Sequence, residues 1–261
     1  MSSPDSWHVA RTLRALEALA LGPRTAVDVA DALMVTPRTA RRLLNRLVDE
    51  GYATRRDSPT RVYVSTLRLV AVAGQVVHST ELVQAAGPHL RRLHDETAMA
   101  AHLSVPSLLA VLCVLHAAGE QHPPVPSLGE RIPCHATAAG KALLAFRPSW
   151  RAHMLTQPLE SFTPRTLTDR RRLETEARAV RARGHAVEDG EYRLGEHGIA
   201  APVFSHTGEA VAALGVSAPG GHMSRRRARE LGDLVARTAL AVSEDVGYAR
   251  AADEPPMVAG G

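Results

Sequence analysis

The clearest pattern of apolar and polar positions lies in residues 36–52. Ala40, Leu43, Leu44, Leu47 and Val48 recur at helical spacing and make one apolar stripe. The ends of this helix are marked as well. Thr36 can cap it, Pro37 suits the first helical position where a missing N–H costs nothing, and Gly51 can close it. The other face carries Arg38, Thr39, Arg41, Arg42, Asn45 and Arg46, groups suited to phosphates and base edges. Two helical patterns precede it. One covers residues 6–21 with Val9, Leu13, Leu16 and Ala20 on one face; the other covers 26–34, opened by Thr25 and carrying Val29, Ala30 and Leu33. After Gly51 come strand-like runs at 52–56 and 61–65, joined by the turn-forming Asp57-Ser58-Pro59-Thr60. Three helices and a basic hairpin predict a winged helix-turn-helix.

Residues 67–96 read as helical with a break at Gly87-Pro88, a connecting segment rather than a folding unit. Beyond it the pattern predicts strands at 98–105 and 108–116, a Pro-rich loop at 121–127 and a helix near 135–146. Next come a helix at 169–183 capped by Thr168 and two strands, 199–204 and 209–217, joined by Ser205-His206-Thr207-Gly208. A last helix, capped by Ser224, runs to about residue 248 with Leu231, Leu234, Val235, Thr238 and Val242 in a stripe. Hairpin-paired strands with helices gathered around them predict an α+β domain with a mainly antiparallel sheet. The expected plan is a DNA-binding domain at 6–66, linker helices at 67–96, a second domain at 97–248 and a disordered tail at 249–261.

Charge sharpens the first domain. The 261 residues carry a formal charge of +4, and Lys141 is the only lysine, so abundant arginine by itself reflects composition. Its placement is informative: residues 37–61 hold seven arginines against three acids, an excess of four that equals the excess of the whole chain. A solvated helix face in an arginine-rich protein is the plain alternative. The hairpin tilts the balance toward double-stranded DNA, since Arg55, Arg56 and Arg61 flank its turn, where a wing meets phosphate or minor groove. The candidate DNA-binding residues are therefore Thr25, Thr36, Arg38, Thr39, Arg41, Arg42, Asn45, Arg46, Arg55, Arg56 and Arg61. Cys113 and Cys134 have neither disulfide-framework nor metal-ligand spacing. Residues 1–8 lack the regions of a signal peptide, and the longest apolar run, 108–115, is too short to span a bilayer, so a cytoplasmic protein with no membrane partner is expected.

The second domain resembles the IclR family of bacterial transcriptional regulators. The resemblance is carried by residues 131–145, Arg-Ile-Pro-Cys-His-Ala-Thr-Ala-Ala-Gly-Lys-Ala-Leu-Leu-Ala, by 183–191 running to Ile199-Ala200-Ala201-Pro202-Val203, and by 208–219. With the winged helix in the expected order it covers about residues 6–248. It implies an N-terminal DNA reader, a linker helix and a C-terminal effector-binding domain similar to the GAF fold. It also implies homodimers that often pair into tetramers on a pseudo-palindromic operator, and a small-molecule effector, commonly a carboxylate or aromatic acid. The positions matching the family's effector site are Ala138, Ala139, Glu188, Gly198, Gly215 and Ser217. Family members often carry a small polar residue where Gly198 stands, Ser where Gly215 stands and an apolar residue where Glu196 stands. The two missing side chains predict a roomier pocket with fewer donors.

Other chemistry is sparse. Ala138-Ala139-Gly140-Lys141 lacks the glycine spacing of a P-loop, and its small residues suit close approach of a helix to a sheet or ligand. Lys141 reads as a surface cation or half of an ion pair. Glu188, Asp189 and Glu191 read as solvated acids of a loop, with Glu188 the one to face a ligand. The thirteen histidines are scattered, and no HExxH, Gly-x-Ser-x-Gly or Ser-His-Asp arrangement stands out. No catalytic residue, metal or cofactor is expected. The reading that results is a transcriptional regulator, a repressor in its simplest form, gated by a small molecule. A metabolite enzyme with an accessory winged helix and a constitutive DNA binder with a vestigial pocket are its rivals.

Overall fold

The computed structural model describes residues 4–57, 60–119, 126–220 and 223–249, apart from the side chains of residues 4–7 and 78. Ser58 and Pro59 of the expected wing turn, most of the Pro-rich loop at 121–127 and the expected tail lie outside these. The chain divides into two compact units, Met1–Ser79 and Thr80–Gly261.

The first unit contains α1 (Pro4–Ala20), α2 (Ala26–Leu33), α3 (Pro37–Asp49), the hairpin β1 (Ala53–Asp57) and β2 (Arg61–Ser65), and α4 (Arg68–Ser79). Local signals make these elements. Thr25 and Asp28 form a reciprocal capping box at the head of α2, and Met34 ends that helix in the left-handed region at φ 51°. The Thr36 side chain accepts the Thr39 N–H at 3.2 Å, Pro37 follows it, and Gly51 turns the chain out at φ 75°. Arg24 and Tyr63 exchange main-chain hydrogen bonds of 3.0 and 2.8 Å, which ties the wing to the loop before α2. The core joins Ala40, Leu43, Leu44 and Leu47 of α3 to Val29, Ala30 and Leu33 of α2, to Ala15 and Leu19 of α1 and to Tyr63. The stripe expected on α1 is corrected here: Val9 and Leu13 are 61% and 55% exposed, and Ala20 is exposed too, because α2 and α3 cover only the side bearing Ala15 and Leu19. On α4, Val70 and Val76 are likewise exposed.

The second unit opens with α5 (Glu81–Thr97), followed by β3 (Ala100–Ser107), β4 (Ala110–Ala117), β5 (Arg131–Pro133), α6 (Ala138–Phe146), α7 (Pro148–Met154), α8 (Arg170–Arg183), β6 (Ala186–Asp189), β7 (Glu196–Phe204), β8 (Ala210–Pro219) and α9 (Arg225–Asp245). The helical break falls at Thr80, not at Gly87-Pro88; Pro88 lies inside α5, whose Val83, Ala86, Leu90 and Leu93 are buried. Burial of that face outweighs the roughly 3 kcal/mol that an interior proline costs a helix. Asp169, not Thr168, caps α8 by accepting the Arg172 N–H at 2.8 Å. Glu188 and Asp189 belong to β6 rather than to a loop.

The six strands run β5-β4-β3-β8-β7-β6, every neighbour antiparallel. α6 and α8 pack together on the sheet, and α5 and α9 pack together on it separately. Ala200 and Ala213 join the α6 cluster while Ile199, Ala201 and Leu214 are buried outside it, so β7 and β8 are covered on both faces. Such strands read as nearly continuous apolar runs instead of alternating ones.

Candidate functional site

In the first unit, α3 turns its stripe inward and leaves Arg38, Arg41, Arg42, Asn45 and Arg46 exposed, with Thr39 half-buried at the first turn. Together with Asp49 these residues line one open, shallow surface. Thr25 and Thr36 spend their hydroxyls as helix caps. Asn45 also anchors the wing. Its Oδ1 accepts the Oη–H of the fully buried Tyr63 at 3.0 Å, so the amide N–H₂ is the end left for a base edge. On the wing, Asp57 holds Arg55 at 3.1 Å and Arg61 at 2.7 Å, which presets both guanidinium groups. Those pairs hold the Asp57 carboxyl below its ordinary range, the hydrogen bond from Arg61 leading. The neighbouring Arg56 is exposed.

In the second unit, strand register brings distant residues together. Glu188, Gly198, Ser217 and Ala100 are successive cross-strand partners, and beside that row lie Ala186, Ala200, Gly215, His102 and His116. Over these rows comes the head of α6. A recess results, lined by Glu188, Gly198, Ser217 and His102 from the sheet, Thr137, Ala138 and Ala139 from α6, and Tyr192 and His197 among the flanking groups. The space open to the centre of a water-sized sphere is about 30 Å³, room for one or two waters. Gly140 allows the close approach of α6, since a Cβ there would stand 2.2 Å from the Cys134 backbone.

Five of the six expected effector residues, Ala138, Ala139, Glu188, Gly198 and Ser217, line the recess; Gly215 does not. A Cβ on Gly215 would meet the Ile199 carbonyl at 2.6 Å and the His102 ring at 3.0 Å, so the space of its missing side chain is filled by its neighbours. The room expected from Gly215 is therefore absent, while Gly198 does line the recess. His102, Tyr192 and His197 were missed because only the strand register and the turn after β6 direct them here.

Burial sets the charges. It pushes Glu188 up to about 7 against the pull of the Glu191 and Tyr192 amides, and pushes His102 down to about 4. Burial also lowers His197 and raises Glu196. Behind the recess Lys141, 3% exposed, donates to the Val187 carbonyl at 2.6 Å and to Glu191. Lys141 is therefore a buried ion-pair partner, and Glu188 and Glu191 are not solvated acids. Thr163 and Thr166 donate to the carbonyls of Gly190 and Glu191 at 2.6 Å, fixing the turn that carries them. Cys113 and Cys134 are buried thiols pushed up to about 12, hence poor nucleophiles. Among the described residues no group of three His, Cys, Asp or Glu is placed to hold a metal ion, and no helix is long and apolar enough to cross a membrane.

A winged helix followed by an α+β unit with a recess under a helix N-terminus defines a DNA-binding transcriptional regulator with a separate ligand-binding domain. Residues 74–244 match the model of the bacterial transcriptional regulator IclR C-terminal domain, and residues 10–61 match that of the MarR family. The chain belongs to the IclR family. It is 34% identical over 252 residues to the HTH-type transcriptional regulator BhcR of Paracoccus denitrificans, covering 93% of this chain and 89% of that protein. It is 33% identical over 215 residues to the Pca regulon regulatory protein of Pseudomonas putida, covering 80% and 72%. An IclR homologue of Microbacterium hydrocarbonoxydans solved with 4-hydroxybenzoate is similar at 25% identity and TM-score 0.76, over 92% of this chain and 98% of that one.

Proposed function

We propose that this regulator binds a pseudo-palindromic operator as a homodimer, in its simplest form as a repressor, and that a small effector in the recess changes operator affinity. The observation that carries the proposal is the exposed face of α3, where four arginines and Asn45 stand beside a wing bearing three more. Arg38, Thr39, Arg41, Arg42 and Asn45 lie early enough on α3 for base edges, and Arg46, Arg55, Arg56 and Arg61 suit phosphates. Selecting bound fragments from genomic DNA will give the operator. Arg42→Ala is then expected to weaken specific binding by about 1–3 kcal/mol while leaving non-specific binding largely in place. An unaltered footprint and affinity would remove Arg42 from the reading surface.

The homodimer is supported by apolar residues that the first unit leaves in water: Val9 and Leu13 of α1, and Val70 and Val76 of α4. A second copy covering them would set the spacing of two recognition helices at about one turn of DNA. Val70→Ser is expected to raise the protein concentration at the monomer–dimer midpoint about a hundredfold, from the roughly 1.5 kcal/mol that burying each of the two valines contributes. Sedimentation that stays unchanged would place the dimer contact elsewhere.

The effector role rests on the recess and on the ligand carried by the Microbacterium relative. A ligand gates DNA binding only by preferring one arrangement of the protein over another, and the helical segment at 67–96 is the transmission element in this reading. Cellular location follows the function: a regulator that meets DNA works in the bacterial cytoplasm.

A further inference from the structure

Tyr63 of the wing is fully buried, with its ring in the core of the first unit. Its backbone is fixed from both sides, by main-chain hydrogen bonds of 3.0 and 2.8 Å with Arg24 and by pairing with Arg55 of β1. The core needs only the ring, and a buried hydroxyl left without a partner is costly. Among the described residues that hydroxyl has one partner, and it lies on the helix with the arginine-rich face: Tyr63 Oη donates to Asn45 Oδ1 at 3.0 Å.

The bond decides which way the Asn45 amide points. An amide turned over would give its N–H₂ to the phenol oxygen and strand the phenol proton in a buried site, so Oδ1 is held toward Tyr63. The N–H₂ end is left outward, on a residue that is itself exposed and shares one open surface with Arg38, Arg41, Arg42 and Arg46. A guanidinium has donors and no acceptor. With Oδ1 committed to Tyr63, the middle of this face offers donors, and the side-chain acceptors stand at its ends, Thr39 in the first turn of α3 and Asp49 in the last.

Given α3 as the DNA-reading helix, on which this rests, we propose that Tyr63 is a positioning residue for base recognition: it fixes Asn45 as a donor, so the base that Asn45 meets must carry a major-groove acceptor. Guanine, adenine and thymine each carry one there. Cytosine shows only its N4 donor and is rejected. Tyr63 touches no base itself. Its hydroxyl acts through Asn45, and removing that hydroxyl frees the amide to turn its oxygen toward the groove and accept the cytosine N4–H.

The test uses full-length protein and operator fragments recovered by genomic selection, with every base pair of the half-sites varied in turn. Asn45→Ala marks the pair that Asn45 meets, as the one whose base preference flattens. At that pair the parent protein is expected to bind the cytosine variant at least about tenfold more weakly than the best base. Tyr63→Phe keeps the ring and should remove most of that penalty while the preferences at all other pairs stay as they were. Asn45→Asp, which still takes the phenol proton but faces the groove with an acceptor, should make cytosine the preferred base there; it carries the test if Tyr63→Phe does not fold. A bond that is merely structural would give a lower melting temperature in Tyr63→Phe with base preferences unchanged, and that result overturns the proposal. Cytosine as the parent protein's preferred base at the marked pair overturns it too. If Asn45→Ala flattens no pair while Arg42→Ala weakens specific binding, the proposal fails and α3 remains the reading helix. If neither variant alters operator binding, the reading of α3 itself is rejected.

Discussion

Lys141→Met should lower the stability of the second unit by about 3–5 kcal/mol, the usual loss when one partner of a buried ion pair is removed. Lys141 is buried and the Glu191 side chain is 12% exposed, and Glu191 Oε2 already lacks a hydrogen-bond partner. Burial holds the Glu191 carboxyl above its ordinary range even with the ammonium beside it. Without Lys141 that carboxyl must either stay charged in a dry site or take up a proton. Urea unfolding followed by circular dichroism measures the loss. Lys141→Met combined with Glu191→Leu should recover most of it, because the stranded charge is removed as well. A single variant within about 1 kcal/mol of the parent protein would mean that the pair is solvated.

Glu188→Gln should have the opposite sign above neutral pH. Glu188 is 7% exposed, and its carboxyl titrates at about 7 in the fold against 4.5 in an unfolded chain. Between those values the folded protein holds a proton that the unfolded chain has lost, so stability falls as pH rises from about 4.5 and levels off above 7. At about 1.36 kcal/mol per pH unit the whole fall is roughly 3 kcal/mol. Glutamine does not titrate and keeps an oxygen for the Glu191 and Tyr192 amides. The variant should therefore match the parent near pH 4 and exceed it by up to about 3 kcal/mol at about pH 8. Thermal melts of the two proteins across this range would show the curves separating; parallel curves would mean that Glu188 is ionised throughout.

The two halves of the protein differed in how much could be read in advance. In α3 every signal is local: Thr36, Pro37, the apolar positions from Ala40 to Val48 and Gly51 all act within a few residues of one another, and the helix begins and ends where they place it. The α1 stripe departs from its sequence pattern for a physical reason. Val9, Leu13 and Ala15 are equally apolar in the chain, and only the position of α2 and α3 decides which of them is covered. Pro88 looked like a break because its local cost is plain, while the burial that offsets it comes from residues far along the chain. Glu188 and Asp189 looked like loop acids because two adjacent carboxylates disfavour a strand by propensity; pairing with Gly198 and His197 overrides it.

The residues by themselves determined that this protein carries a winged helix with an arginine-rich reading face, because helix caps, a 3.6-residue period and turn residues act over short distances. The family motifs located five of the lining positions of the recess. What only the tertiary structure decided is the character of that recess. Antiparallel register sets His102 of β3 beside Gly215 of β8, and Glu188, Gly198 and Ser217 in one row. α6 closes over them and excludes water, and that desolvation, invisible in any single segment, leaves His102 neutral, Glu188 near neutrality and Lys141 committed to Glu191.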